Sequence, residues 1–271
     1  MMNKRNYLME GDEEAVRLDL KTDPEMVKKQ AQWAGLKPGM RVADLGCGAG
    51  KTTYYLNELA GPTGAVVGVD MAQQRIDYAE NHYSHDRIQY VCKDIREPLD
   101  DLGMFDFIWV RFVLEYYRVE SCDIVKNISK IMKPGGILCL IDLDCNCLRY
   151  FGHSDRLEKY LNIIMDILQN DFNFDPYAGI KLYSYLYDAG YQDIDVNVTP
   201  HNLIFGELKD VDIFNFTKKA EMVGKHSGIQ FEDYENGFEG FFKEVLDFFS
   251  DFRRFTYTPL ISCCGRKPLL R

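Results

Sequence analysis

The twelve residues Arg41-Val-Ala-Asp44-Leu-Gly46-Cys47-Gly48-Ala-Gly50-Lys51-Thr52 decide how this chain is read. Arg41 to Leu45 has the pattern of a short strand, and Lys51 to Ala60 has helical spacing closed by Gly61-Pro62-Thr63-Gly64. Between them stand three alternating glycines. Glycine takes positive φ without a steric cost and lets a ligand press on backbone where a Cβ would clash. The first turn of the following helix adds N–H groups with no partner inside the helix. Spacing then separates the nucleotide-type turns. A P-loop needs Gly, four residues, then Gly-Lys-Ser/Thr; Gly50-Lys51-Thr52 supplies the end, but position 45 is Leu and the loop from Gly46 is one residue short. The dinucleotide turn G-x-G-x-x-G fits Gly46 and Gly48 but meets Lys51 where its third glycine packs helix on strand.

Outward from the turn, short apolar runs alternate with amphipathic stretches. Strands are expected at Ala65–Asp70, Ile88–Cys92, Phe105–Val110 and Ile137–Leu143, with helices at Gln73–Asn81 and Ser121–Met132. Continuous apolar strands separated by helices imply an α/β fold with a parallel sheet covered on both faces. Upstream, Asp12–Leu20 and Pro24–Ala34 read as helices, the second capped by Asp23 with Pro24 at its first position. Downstream, helices are expected at Asp155–Asn170, Ile180–Ala189, Asp210–Val223 and Phe238–Phe252, and strands at Gln192–Thr199 and Arg254–Cys264.

Asp44-x-Gly46-x-Gly48-x-Gly50 resembles the first motif of the class I S-adenosylmethionine-dependent methyltransferases, and the other segments agree in order. Asp70 ends the second strand, Lys93-Asp94-Ile95 follows the third, and Phe105-Asp106-Phe-Ile-Trp-Val-Arg111-Phe-Val-Leu-Glu115 resembles the fourth-strand motif. Met132-Lys133-Pro134-Gly135-Gly136 looks like the family's approach to its fifth strand. The resemblance covers 36–145 tightly and the last two strands more loosely. It implies a doubly wound, mostly parallel seven-stranded sheet of the Rossmann-like methyltransferase fold with helical cap insertions. Within one structural domain it implies N-terminal helices over the cofactor (1–35), a cofactor-binding core (36–145), a helical substrate cap with the sixth strand (146–254), and a last strand and tail (255–271).

The implied cofactor is S-adenosyl-L-methionine, with S-adenosyl-L-homocysteine as product, and the implied reaction is in-line methyl transfer to a small-molecule acceptor. Asp44, Gly46, Cys47 and Gly48 form the turn against the cofactor's amino-acid end; Asp70 meets the ribose hydroxyls and Met71 an adenine face. Asp94 accepts from the adenine amino group beside apolar Ile95, and Arg111 lies on the ligand rim. Tyr7 and Arg17 belong to an N-terminal segment folded over the methionine end, where a guanidinium suits a carboxylate. The same residues have plainer readings. Asp44 and Asp70 are good helix N-caps, Arg111 and Glu115 are candidates for an internal ion pair, and Arg17 for a surface position.

Alignment of nucleophile, methyl and sulfur is the main task in such a transfer, so no catalytic residue is obligatory and none is assigned. The histidine that many family members carry after the fourth strand is replaced here within Leu114-Glu115-Tyr116-Tyr117, which leaves His153, His201 and His226 as candidate bases in the substrate half. The alternatives are a protein that binds the cofactor without transferring its methyl group, and a P-loop-like nucleotide binder.

The 42 acidic and 32 basic side chains give a net charge of −10, and the acidic excess holds on both sides of residue 150, with 23 against 19 before it and 19 against 13 after it. Nucleic acid is therefore not expected as a partner, and the Asn/Asp-Pro-Pro-Tyr/Phe motif of nucleic-acid-amine methyltransferases is absent after the fourth strand. No apolar run is long enough to span a bilayer and the start has no secretory pattern, so a cytoplasmic protein without a membrane partner is expected. The eight cysteines lack paired metal-ligand spacing, and no metal is expected. Of the 36 aromatic residues, 23 lie between 150 and 257, the part that carries no fixed motif and where the acceptor pocket is expected.

Overall fold

The computed structural model describes residues 12–146, 149–210, 212, 213, 216, 217, 220, 221, 224 and 228–269. Its sheet begins with β1 (Arg41–Leu45), β2 (Ala65–Asp70), β3 (Ile88–Cys92), β4 (Phe105–Arg111) and β5 (Met132–Leu143). These five run parallel in the order β3-β2-β1-β4-β5. The connecting helices are α3 (Lys51–Ala60), α4 (Gln73–Tyr83) and α5 (Ser121–Lys130), preceded by α1 (Asp12–Lys21) and α2 (Pro24–Trp33). The expected Asp23 cap is present, its carboxylate accepting from the Glu25 and Met26 N–H groups. Winding reverses between β1 and β4. That switch point opens a crevice at the carboxyl ends of the strands.

Two apolar layers sandwich the sheet. Val42, Phe107, Trp109 and Ile141 face α2 and α3 on one side, and Leu45, Ile108, Val110 and Leu140 face α5 and α7 (Leu182–Asp188) on the other. A third cluster belongs to the cap and is built from α6 (Asp155–Asp171), α8 (Phe238–Ser250) and the segment between 210 and 224, whose described residues are helical.

The expected seven-stranded order is present, with one short extra strand. β8 (Phe255–Arg266) pairs antiparallel with β5 on one edge and along its whole length with β7 (Gln192–Phe205) on the other. An eighth strand, β6 (Tyr150–Phe151), pairs with the start of β8. Because Phe255 already has Phe205 on the β7 edge, its second partner Phe151 lies on the β5 edge. β6 thus resumes the line of β5. Two boundaries also move. α5 stops at Lys130, since Met132 is already fully buried in β5 opposite Phe105. β7 runs past Thr199 to Phe205, following β8 through an irregularity at 201–204 where Asn202 takes φ of 49°.

Candidate functional site

The glycine turn joins β1 to α3 at the switch point, and the three glycines take φ of +81°, +53° and +87° at Gly46, Gly48 and Gly50. What approaches them is protein. A Cβ on Gly46 would lie 2.3 Å from Val113 Cγ2, and one on Gly50 would lie 2.6 Å from Ala79 Cβ of α4. Gly48 sits under α1, with Leu18 Cδ1 at 3.2 Å from its would-be Cβ. Much of the turn's N–H supply is also used internally: Gly46 and Cys47 donate to Val69 O, and Gly50 to Cys47 O. The turn is tightened by the fold before any ligand is considered.

Gly48 N donates to Asp70 Oδ2 at 2.9 Å, so the turn is tied to the end of β2. Asp70 Oδ1 accepts from Ala72 N at 3.0 Å and from Arg75 Nε at 2.9 Å. Each carboxylate oxygen has two lone-pair directions, so Oδ2 keeps one beyond its bond to Gly48. Arg75, one turn into α4, carries no sequence signal; only the fold places it on Asp70.

Cys47, Gly48, Asp70, Met71, Ile95 and Arg111 all line a single cavity of about 310 Å³, together with Arg17 from α1. Burial pushes the Cys47 thiol well above its usual range and keeps it protonated. Ile95 is buried; Met71 is exposed at its edge and takes a hydrogen bond from Tyr117 Oη at 3.4 Å. Asp94 is not in the wall, although its neighbours Lys93 and Ile95 are. Its carboxylate is turned onto Arg96, with Nη2 at 2.6 Å from Oδ2. Tyr7 lies outside the described residues.

Part of the wall is cationic. Arg17, Lys21, Lys51 and Arg111 line it; Lys51 Nζ also donates to Asp19 O at 2.7 Å and thereby fastens α1 to α3. Arg111 stacks on Phe112 at 4.2 Å, and Phe112 takes a positive φ of 57°, rare for a bulky side chain. Arg111 Nε is buried without a hydrogen-bond partner among the described residues. Desolvation pulls Arg111 down to about 10, opposed by the Asp44 and Asp23 charges.

Asp44 lies beneath the turn, outside the cavity wall, fully buried and accepting from Thr53 Oγ1 at 2.7 Å. Burial raises it to about 7, opposed by the Thr53 bond and by Arg111. An unfolded aspartate titrates near 3.9. The folded state therefore holds this proton to higher pH, and the stability it contributes is full below pH ~4 and lost as pH rises through about 7. Asp44→Asn is expected to remove that fall, on the order of 4 kcal/mol across the window. Urea unfolding of both proteins at pH 4.5 and 7.5 measures it; equal pH slopes would refute the assignment.

Glu115, Asn146, Tyr116 and His201 line the same cavity. Glu115 is buried and accepts from Asn146 Nδ2 at 3.0 Å, while its own N–H donates to Asp142 Oδ2 at 3.0 Å. Burial and the neighbouring Glu115 charge hold Asp142 well above the ordinary carboxylate range. Glu115 thus belongs to a buried carboxylate group at the ends of β4 and β5. Of the three candidate histidines, His201 is in the cavity wall, against Phe112 at 5.3 Å. His153 packs on Tyr150 and Phe248 and is not in the wall. His226 lies outside the described residues.

Among the described residues no group of three or more His, Cys, Asp or Glu is arranged to hold a metal, and no helix is long and apolar enough to cross a membrane.

Residues 43–140 match a family described as a methyltransferase domain. The chain is 35% identical over 145 residues to a ubiquinone biosynthesis O-methyltransferase of Coxiella burnetii, covering 52% of this chain and 59% of that one. It is 27% identical over 135 residues to a demethylmenaquinone methyltransferase of Staphylococcus aureus, covering 49% and 54%. The chain thus spans little more than half the length of these curated relatives. A crystal structure of a putative methyltransferase from Bacillus halodurans superposes with a TM-score of 0.57 at 17% identity, covering 90% of this chain and 99% of that one, which shows a shared fold. The glycine turn, the switch-point cavity and the strand order agree with these matches: residues 43–140 are similar to the methyltransferase-domain family, and the chain has the Rossmann-like methyltransferase fold.

Proposed function

We propose that this chain transfers the methyl group of S-adenosylmethionine to a small-molecule acceptor. The observation that carries this reading is one continuous cavity that joins the glycine turn, Asp70 and Ile95 to the wall of the cap. Bound there, S-adenosylmethionine would supply an activated methyl on a sulfonium. The lining fits it. Asp70 Oδ2 has an acceptor direction for a ribose hydroxyl, and Met71 and Ile95 offer apolar surfaces to a flat base. Asp94 stands outside this lining with its carboxylate on Arg96, and would reach the adenine amino group only by turning away from that pair. Arg17 and Arg111 place guanidinium charge where a carboxylate belongs, and the buried Arg111 Nε is a donor suited to it. The chain's remaining task is alignment and exclusion of water, which the cap over the crevice performs. For an acceptor that starts protonated, His201 is the histidine set in the cavity wall.

Saturating S-adenosylmethionine is expected to raise the melting temperature. At a hundred times its Kd the stabilisation is about 2.7 kcal/mol. Arg111→Ala should cut that shift to less than half. No shift in the unmodified protein, or a shift with magnesium and ATP instead, would overturn the proposal.

A further inference from the structure

The cap's hydrophobic core is hollow. Leu157, Ile164 and Met165 of α6 and Phe241, Val245 and Phe248 of α8 are buried members of one packed cluster, and each also lines the cavity. Apolar cores ordinarily close on themselves at crystal-like density. Here the two helices turn their apolar faces to a shared space that is continuous with the cofactor-type half.

The wall is divided by charge. Among the described residues every wall residue from α6 and α8 is apolar, and every charged wall side chain comes from residues 17–115. The charges of α6 are directed elsewhere: Arg156 pairs with Glu244 and Lys159 with Asp233, on the outside of the cap. An ionic group pushed into the hollow would lose its water and find no charged partner among the described residues of α6 and α8. A hydrocarbon there would meet leucine, isoleucine and phenylalanine, the kind of lining that stays dry and binds apolar molecules.

We infer that the acceptor is an amphiphile: an uncharged hydrocarbon part fills the hollow of the cap, and its one polar, nucleophilic end lies at the charged half beside Glu115 and His201. The hydrocarbon part follows from the wall alone; the nucleophilic end rests on the methyl-transfer reading above.

A series from 4-methylphenol to 4-hexylphenol, bound to the full chain and followed by calorimetry, tests the inference. Affinity should rise about fourfold for each methylene until the hollow is full. 4-(6-Aminohexyl)phenol, with an ammonium at the chain end, should bind no more tightly than 4-methylphenol. Ile164→Trp narrows the hollow and should flatten the rise for the longer members; should that variant not fold, Val245→Phe narrows it less drastically. A flat series in the unmodified protein, equal binding of the ammonium compound, or an unaltered rise in a folded narrowed variant would overturn the inference. S-adenosylmethionine titrated separately keeps the two readings apart. If it fails to bind while the series rises, methyl transfer falls and the hydrocarbon site stands; if it binds while the series is flat, the reverse holds.

Discussion

Asp70→Ala is expected to abolish the melting shift with S-adenosylmethionine and to destabilise the protein by about 3–5 kcal/mol, the range for breaking a buried charge pair by removing one partner. The carboxylate links three segments at once: Gly48 N of the turn, Ala72 N at the start of α4, and Arg75 within it. Asp70 and Arg75 have side-chain exposures of 7% and 12%, so a guanidinium that loses this carboxylate has little access to water. If Arg75 serves to hold this carboxylate, its loss adds little once Asp70 is gone. Unfolding of Asp70→Ala, Arg75→Ala and the double variant in urea reads this directly. Strictly additive costs, or an Asp70→Ala protein as stable as the unmodified one that still binds the cofactor, would refute the linkage.

Gly46→Ala is expected to cost about 2–5 kcal/mol. Roughly 1–2 kcal/mol comes from placing a Cβ at positive φ and about 1–3 kcal/mol from overpacking, because that Cβ falls 2.3 Å from Val113 Cγ2. The two parts are separable. Val113→Ala alone should destabilise by removing buried methyl groups, yet added to Gly46→Ala it should restore stability, since the clash disappears and only the backbone strain is left. Denaturant midpoints of the four proteins give the coupling. A second substitution that deepens the damage would show that Val113 is not what Gly46 accommodates.

Both predictions turn on residues whose types were legible in the sequence and whose partners were not. The need for glycine at 46, 48 and 50 follows from a strand running straight into a helix, because the reversal demands positive φ there. The intruding groups are Val113, Leu18 and Ala79, brought in from β4's end, α1 and α4. A ligand had been the expected neighbour. Asp70 was identifiable by position at the end of the second strand, but Arg75 was one arginine on an amphipathic helix. Asp94 shows the converse: its place after β3 was readable, while its contact with Arg96 arises from a local turn in which Arg96 N also donates to it. The aromatic residues of the second half give the plainest case. Their count indicated a specialised region, yet Phe248 and Phe241 enclose the hollow while Phe205 and Phe255 stack on the outer face of the sheet.

By itself the sequence determined the strand–turn–helix order of this protein, the parallel half of its sheet and the methyltransferase fold that the glycine turn resembles. These depend on backbone preference and on hydrophobic period, which act over a few residues and are written locally. Tertiary structure alone decided that Glu115 joins Asn146 and Asp142, that Arg75 holds Asp70, and that α6 and α8 leave a cavity between them. Asp70 and Arg75 are five residues apart, but the others set side chains about thirty residues apart within a few ångströms of each other. Whether two such surfaces close or stay open is a matter of how volumes pack, and no local pattern encodes that.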